Sequence, residues 1–177
     1  MQRAVALDTP RFHLRSLTVE DVNERYRSWF NPETARMGIA SARRRPTLQE
    51  LRDFVAARAA RPDVLFLGIF VKQSGEHVGN IKYEPIDREE RYAVMGILVG
   101  EKQWWGKGVT AEVLRATARW LAEHCGTQEI VLGVMKDNLP ARRSYEKVGF
   151  RPRETGRIRI DPRIHEAMVW HLDEIAP

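Results

Sequence analysis

Apolar and polar residues alternate along Arg11-Phe12-His13-Leu14-Arg15-Ser16-Leu17, the period of a half-buried strand. Thr18-Val19-Glu20-Asp21 then offers an N-cap and an acidic first turn, so a helix is expected to run to about Phe30. Asn31-Pro32 breaks it, and the segment to Pro46 reads as a loop or a helix fragment. Thr47-Leu48-Gln49-Glu50 is a capping box opening a second helix to about Ala60, with Leu51, Phe54, Val55 and Arg58 at helical spacing. The period then changes. Val64 to Val71 is a buried strand, Ser74-Gly75 a turn, and His77 to Tyr83 the second strand of a hairpin. After a turn near Asp87-Arg88-Glu89, Tyr92 to Val99 forms a fourth strand, apolar on both faces and so expected at a sheet centre.

Beyond a glycine-interrupted turn, Gln103 to Gly108, a helix from Val109 carries Val113, Leu114, Thr117, Trp120 and Leu121 on one face. Glu112, Arg115, Arg119 and Glu123 occupy the other, and Gly126 is the expected C-cap. Glu129 to Val134 is a fifth strand. Asn138 caps a last helix that has Pro140 in its first turn and ends at Gly149. Short strands near Phe150 and from Ile164 to Leu172 follow. The order predicts one domain, 1–177, of the α+β class: a mixed α/β sandwich on a mixed sheet of about seven strands, with helices on both faces.

Composition adds bounds. Hydrophobic residues make up 43% and charged residues 30% of 177 residues, as in ordinary globular domains. No apolar run approaches the roughly 20 residues that span a bilayer, and the first residues lack the apolar core of a secretion signal. Cys125 is the single cysteine, so no internal disulfide forms, which fits a cytoplasmic location. The net charge of +5 suits an anionic ligand without specifying one. No Cys, His or carboxylate set has metal-ligand spacing. Interleaved aromatic and basic residues on one strand face are lacking, so a nucleic-acid partner is not expected.

The glycine turn carries the chemistry. A strand entering a glycine-rich turn and then a helix start presents several backbone N–H groups, and the positive end of the helix dipole, to one point. Gly106 and Gly108 remove side chains where a phosphate would approach. Read alone, the same residues are also compatible with a plain strand-to-helix turn.

Gln103-x-x-Gly106-x-Gly108 after a central strand resembles the acetyl-CoA signature of the GNAT superfamily of N-acetyltransferases. Asn138-x-x-Ala141-x-x-x-Tyr145-Glu146-Lys147-x-Gly149-Phe150 is similar to that superfamily's late helix, and the order of elements from about Phe12 to Phe150 is similar too. Trp105-Gly106-Lys107-Gly108, Gly79-Asn80-Ile81-Lys82 and Ser28-Trp29-Phe30-Asn31 resemble the Rim-type protein N-terminal acetyltransferases and bacterial amino-sugar acetyltransferases. The resemblance implies that the fourth and fifth strands splay apart and that acetyl-CoA is the acetyl donor. It implies backbone contacts from Ile97, Leu98 and Val99, one N–H pointing at the thioester oxygen, where attack by an amine builds negative charge. The pyrophosphate would lie against Gln103, Gly106, Lys107, Gly108, Val109 and Thr110, with Asn138 as a further cofactor contact. Lys107 is equally compatible with an exposed loop lysine, and N-capping alone would account for Asn138. Trp104 and Trp105 are read as packing anchors.

Tyr145 matches the tyrosine that protonates the departing CoA thiolate. A phenol stays protonated at neutral pH and can donate, although a core aromatic on the inner helix face is the plain alternative. The attacking amine must lose a proton. Many relatives carry Glu two residues before the glycine that is Gly96 here, and this chain has Val94. Glu84 is taken as the base, with Asp87, Glu101, His165 and His171 as further candidates and His77 and His13 fitting less well. Arg43-Arg44-Arg45 either grips a diphosphate or is a solvated charge run. The expected activity is transfer of acetyl to a primary amine (a small-molecule amine, an amino sugar or a protein N-terminus), with no membrane partner and a homodimer allowed. The alternative is an acyl-CoA-binding sensor without catalysis.

Overall fold

The computed structural model of the chain describes residues 4–36 and 44–172. Eight strands form one mixed sheet in the order β1-β2-β3-β4-β5-β6-β8-β7. They are β1 (Ala6–Asp8), β2 (Phe12–Ser16), β3 (Leu65–Val71), β4 (His77–Asp87), β5 (Tyr92–Val99), β6 (Glu129–Met135), β7 (Arg151–Pro152) and β8 (His165–His171). The helices are α1 (Glu24–Ser28), α2 (Pro32–Arg36), α3 (Leu48–Ala59), α4 (Val109–Cys125) and α5 (Leu139–Glu146). The strand beyond the expected seven is β1, so the expected fourth and fifth strands are β5 and β6. By contacts the chain divides into two compact units, 1–82 with 97–105, and 83–96 with 106–177.

In the first unit, β1 is too short to show a period, and pairing with β2 creates it, Leu7 opposite Leu14. Val5 N–H donates to Ser16 Oγ at 3.0 Å and extends that edge. Antiparallel pairing of β2 with β3 sets Leu14 opposite Ile69, both fully buried. The helix expected over residues 18–30 is split. Val19–Asp21 is a single 3-10 turn closed by a Thr18/Asp21 capping box, Val22 is extended, and Asn23 caps α1 by accepting from Tyr26 N–H at 3.1 Å. The division buries Leu17, Val22, Tyr26, Trp29 and Phe30 against Leu51 and Val55 of α3. Each such apolar side chain contributes about 1.5–3 kcal/mol, more than one continuous helix would return in hydrogen bonds. The Thr47/Glu50 capping box forms as expected.

Asp21 holds the split in place. Its carboxylate takes two bonds from Arg15, at 2.6 and 2.8 Å, and one from Thr18 N–H at 2.9 Å. Burial raises its pKa, but the Arg15 pair and the Thr18 bonds outweigh this and hold it below the usual 3.8. The folded value is therefore the depressed one, so the stabilisation is complete above the ordinary carboxylate range and lost as pH falls through the folded value. Asp21→Asn is expected to cost about 1 kcal/mol at pH 7, with the gap from wild type closing at acid pH in denaturant melts.

In the second unit, α4 buries Val109, Val113, Leu114, Thr117, Ala118, Leu121 and Cys125 along one face, and Gly126 ends it at φ 68°. The Tyr83 hydroxyl meets Thr117 Oγ1 at 2.8 Å, so both buried hydroxyls are satisfied. β6 pairs along its whole length with β8, from Glu129–His171 to Met135–His165. Trp170 on β8 stacks obliquely on Phe150, ring centroids 5.5 Å apart. Gly149, at φ 127°, brings its backbone against the Trp170 indole, where a Cβ would lie 2.7 Å from Cδ1.

Candidate acetyl-transfer site

β5 enters the second unit paired in parallel with β6, and the pairing is brief. It joins Tyr92 to Glu129, Ala93 to Ile130 and Val94 to Val131. Both strands continue, β6 to Met135 and β5 to Val99, but no longer with each other. This is the splay implied by the resemblance. It changes the meaning of the apolar run in β5. Ala93 and Met95 are buried, whereas Gly96 is exposed and Ile97, Leu98 and Val99 are half-buried. The second apolar face is not sheet core, and its backbone lacks the β6 ladder a parallel neighbour would supply.

In the first unit, Val99 leads through Gly100 and Glu101 into a 3-10 turn, Lys102–Trp104. The two tryptophans fix this turn. Trp105 Nε1 donates to Val99 O at 2.7 Å, and the Trp104 ring meets Phe12 edge-on at 5.1 Å. Gln103 is exposed, its amide donating to Glu76 at 3.3 Å. Glu101 accepts from Arg25 Nε at 2.8 Å and Trp29 Nε1 at 2.9 Å. Burial raises its pKa, but these two bonds outweigh that and hold it low. Both bonds end on Oε1 and tie Glu101 to Arg25 and Trp29.

In the second unit, Gly106 and Gly108 adopt φ of 70° and 75°, a region that side chains disfavour. Gly108 is the N-cap of α4 and provides no side-chain cap, so the 17-residue helix opens on backbone groups alone. Lys107 is exposed, Val109 buried and Thr110 half-buried in the first turn. Asn138 caps α5, its Oδ1 accepting from Ala141 N–H at 3.3 Å. Tyr145 sits on α5 with its ring 5.7 Å from Phe150. Its side chain is half-buried, and desolvation pushes its hydroxyl up to about 12. Burial likewise raises the Cys125 thiol, against the opposing effect of Arg88, which makes it a poor nucleophile at neutral pH.

The remaining base candidates separate by their partners. Asp87 caps its own turn, accepting from Glu89 and Glu90 N–H at 3.0 and 2.8 Å. His171 Nε2 lies 2.8 Å from Arg153 Nη1, and its Nδ1 lies 3.8 Å from Glu129. His77 contacts Gly79 O and Asn80 Oδ1 at 3.0 and 2.8 Å and stacks on Phe70, and burial lowers its pKa. His13 pairs with Asp8 at 3.2 Å. His165 differs: its Nδ1 is buried and has no hydrogen-bond partner. Glu84 is half-buried on β4. Arg44 is exposed and paired with Glu50 at 2.6 Å, Arg45 is exposed, and Arg43 lies outside the described residues.

Gly133, Ile158 and Ile160 carry no motif in the sequence. Strand alternation from the Val94–Val131 pair places Gly96 and Gly133 on one face. A Cβ on Gly133 would lie 2.9 Å from Ile160 and 3.5 Å from Ile158, whereas one on Gly96 would meet nothing within 4 Å. A glycine inside an apolar strand is itself a signal of close approach.

Residues 11–151 match the acetyltransferase (GNAT) domain family, and the chain belongs to that family. It is an acetyltransferase. It is 25% identical over 149 residues to the uncharacterized N-acetyltransferase p20 of Bacillus licheniformis, covering 81% of each chain. In fold it is similar to a GNAT-family acetyltransferase from Bacillus anthracis, with TM-score 0.78 and 16% identity over 96% of this chain and 100% of that one. It is similar also to the microcin C7 self-immunity acetyltransferase MccE in complex with acetyl-CoA and AMP, with TM-score 0.76 and 14% identity over 92% and 93%. Among the described residues no helix is long and apolar enough to cross a membrane.

Proposed function

We propose that the chain transfers acetyl from acetyl-CoA to a primary amine, carried by a small molecule, an amino sugar or a protein N-terminus. The observation that carries this reading is the end of β5–β6 pairing at Val94–Val131, which leaves Gly96 and Gly133 exposed on one face. Backbone groups of Ile97, Leu98 and Val99 line the pantetheine arm, and one N–H among them meets the thioester oxygen. Gln103, Gly106, Lys107, Gly108, Val109 and Thr110 take the phosphates, and Asn138 contributes as a cofactor contact while capping α5.

The amine nitrogen attacks the thioester carbon directly. A C–N bond forms, the negative charge gathers on oxygen, and the C–S bond then breaks as Tyr145 gives its proton to the thiolate sulfur. The nitrogen loses a proton in the same sequence, and Glu84 is the carboxylate candidate to receive it. CoA release measured with a broad amine panel tests the reading. Turnover with at least one amine supports it, and acetyl-CoA binding without turnover on any amine returns the chain to the sensor alternative.

Gly106→Ala probes the donor side separately. The strained φ alone costs about 1 kcal/mol, a drop of roughly 2–4 °C in melting temperature. Acetyl-CoA affinity, read by calorimetry, is expected to fall about tenfold, because a methyl group sits where the ligand's phosphates approach the backbone.

A further inference from the structure

Val94 leaves the amine without the carboxylate that many relatives place on this strand, and the register of the second unit shows which side chains share its face. Met135 pairs with His165 and Gly133 with Ala167, so alternation sets His165, Ala167, Gly133 and Val131 on one face of the sheet. Val94 pairs with Val131 and therefore shares that face, as does Gly96 two residues on. The opposite face carries Glu166, Met168 and Trp170. α5 covers that opposite face, with Arg142 paired to Glu166 at 2.7 Å and Phe150 against Trp170. Tyr145, in ring contact with Phe150, is on the α5 side. His165 and Tyr145 thus lie on opposite sides of the sheet, in the unit where β5 and β6 part.

We infer that His165 is the group that takes the proton from the acceptor amine. The inference rests on the amine-acetyltransferase reading above. With the ring proton on Nε2, Nδ1 presents a lone pair that no protein group uses, although the atom is shielded from solvent. A buried polar atom left without a partner is costly unless a ligand completes it. The backbone at His165 is fixed, since its N–H donates to Asp161 O at 2.8 Å and Lys136 N–H donates to Ile164 O at 2.9 Å. Ile158 and Ile160 border the exposed Gly133 and add apolar surface beside it.

The charged groups about the ring are committed elsewhere. Asp161 is bound by Arg163 at 2.8 and 3.0 Å, Lys136 Nζ donates to Pro162 O at 2.7 Å, and Glu166 and Arg142 pair on the far face. At the other end of the face, Glu129 is shared by Arg157 and His171. In the step itself the nitrogen bonds to the acetyl carbon and passes one N–H proton to Nδ1. Tyr145 protonates the CoA sulfur, and solvent carries the imidazolium proton back to the tyrosinate. Base on one side and acid on the other let the amine enter and the thiolate leave without crossing.

The test compares wild type, His165→Gln, His165→Ala and Glu84→Gln with one accepted amine. His165→Gln is expected to lose about 100-fold in kcat/KM at pH 7, to keep its melting temperature and acetyl-CoA affinity, and to regain rate as pH rises. Added imidazole is expected to restore part of the activity of His165→Ala. A His165→Gln enzyme within about threefold of wild type, or loss of the acidic limb in Glu84→Gln alone, overturns the assignment. Wild type that binds acetyl-CoA but turns over no amine overturns the acetyltransfer reading, and the role of His165 with it.

Discussion

Tyr145→Phe is expected to lower kcat by about 10²–10³-fold while acetyl-CoA affinity stays within a factor of two. The substitution removes one hydroxyl and keeps the ring that packs on Phe150. Stability should therefore hold, and the loss should fall on the step in which the thiolate departs. The pH profile distinguishes this role from a packing role. Burial pushes the phenol up to about 12, so it remains a proton donor throughout the range in which an amine acetyltransferase works. No alkaline loss of activity from this group is expected below pH 10 or so, where an ordinary tyrosine would begin to ionise. Wild-type turnover by Tyr145→Phe would sink the assignment. An acetyl donor whose leaving group needs little protonation, such as an activated aryl thioester, should be used by the variant with a much smaller deficit.

Gly100→Val should be the most destabilising of the substitutions considered, at about 3 kcal/mol or more, near 10 °C in melting temperature. Gly100 has an ordinary φ, and its reason for being glycine is space. A Cβ there would fall within the Trp29 indole, which packs directly against Gly100. Trp29 is 2% exposed, meets Tyr26 and His77 edge-on at 5.2 and 4.8 Å, and donates to Glu101 at 2.9 Å. Displacing the ring opens the core of the first unit and leaves that carboxylate with Arg25 alone. Paired Gly100→Val and Trp29→Ala melts check the account: the two losses should be far from additive, because both remove the same packing.

Much of the framework was legible because its signals are local. The Thr47/Glu50 capping box, the apolar stripe of α4, Gly126 at its end and Asn138 before α5 each depend on residues within a turn or two of each other. The glycine turn was readable for the same reason, since positive φ at Gly106 and Gly108 is a property of the backbone there. The single helix expected over residues 18–30 failed because Arg15 draws Asp21 into a pair that helical periodicity does not reveal. β1 escaped notice because three residues acquire a pattern only against Leu14 of β2.

The site divides along the same line. Sequence alone determined the elements on which the proposed donor side rests: the strand, the glycine turn and the helix start are contiguous, and the role proposed for Tyr145 follows from the spacing of the last helix. The proposed proton-removing side rests on tertiary structure. Seven acidic or histidine candidates looked alike as letters, and they differ by what touches them. Glu101 is held by Arg25 and Trp29, His171 by Arg153, Asp87 by its own turn and His77 by Asn80, while Nδ1 of His165 is left open. A group's availability depends on partners from distant parts of the chain, which only the folded sheet brings to it.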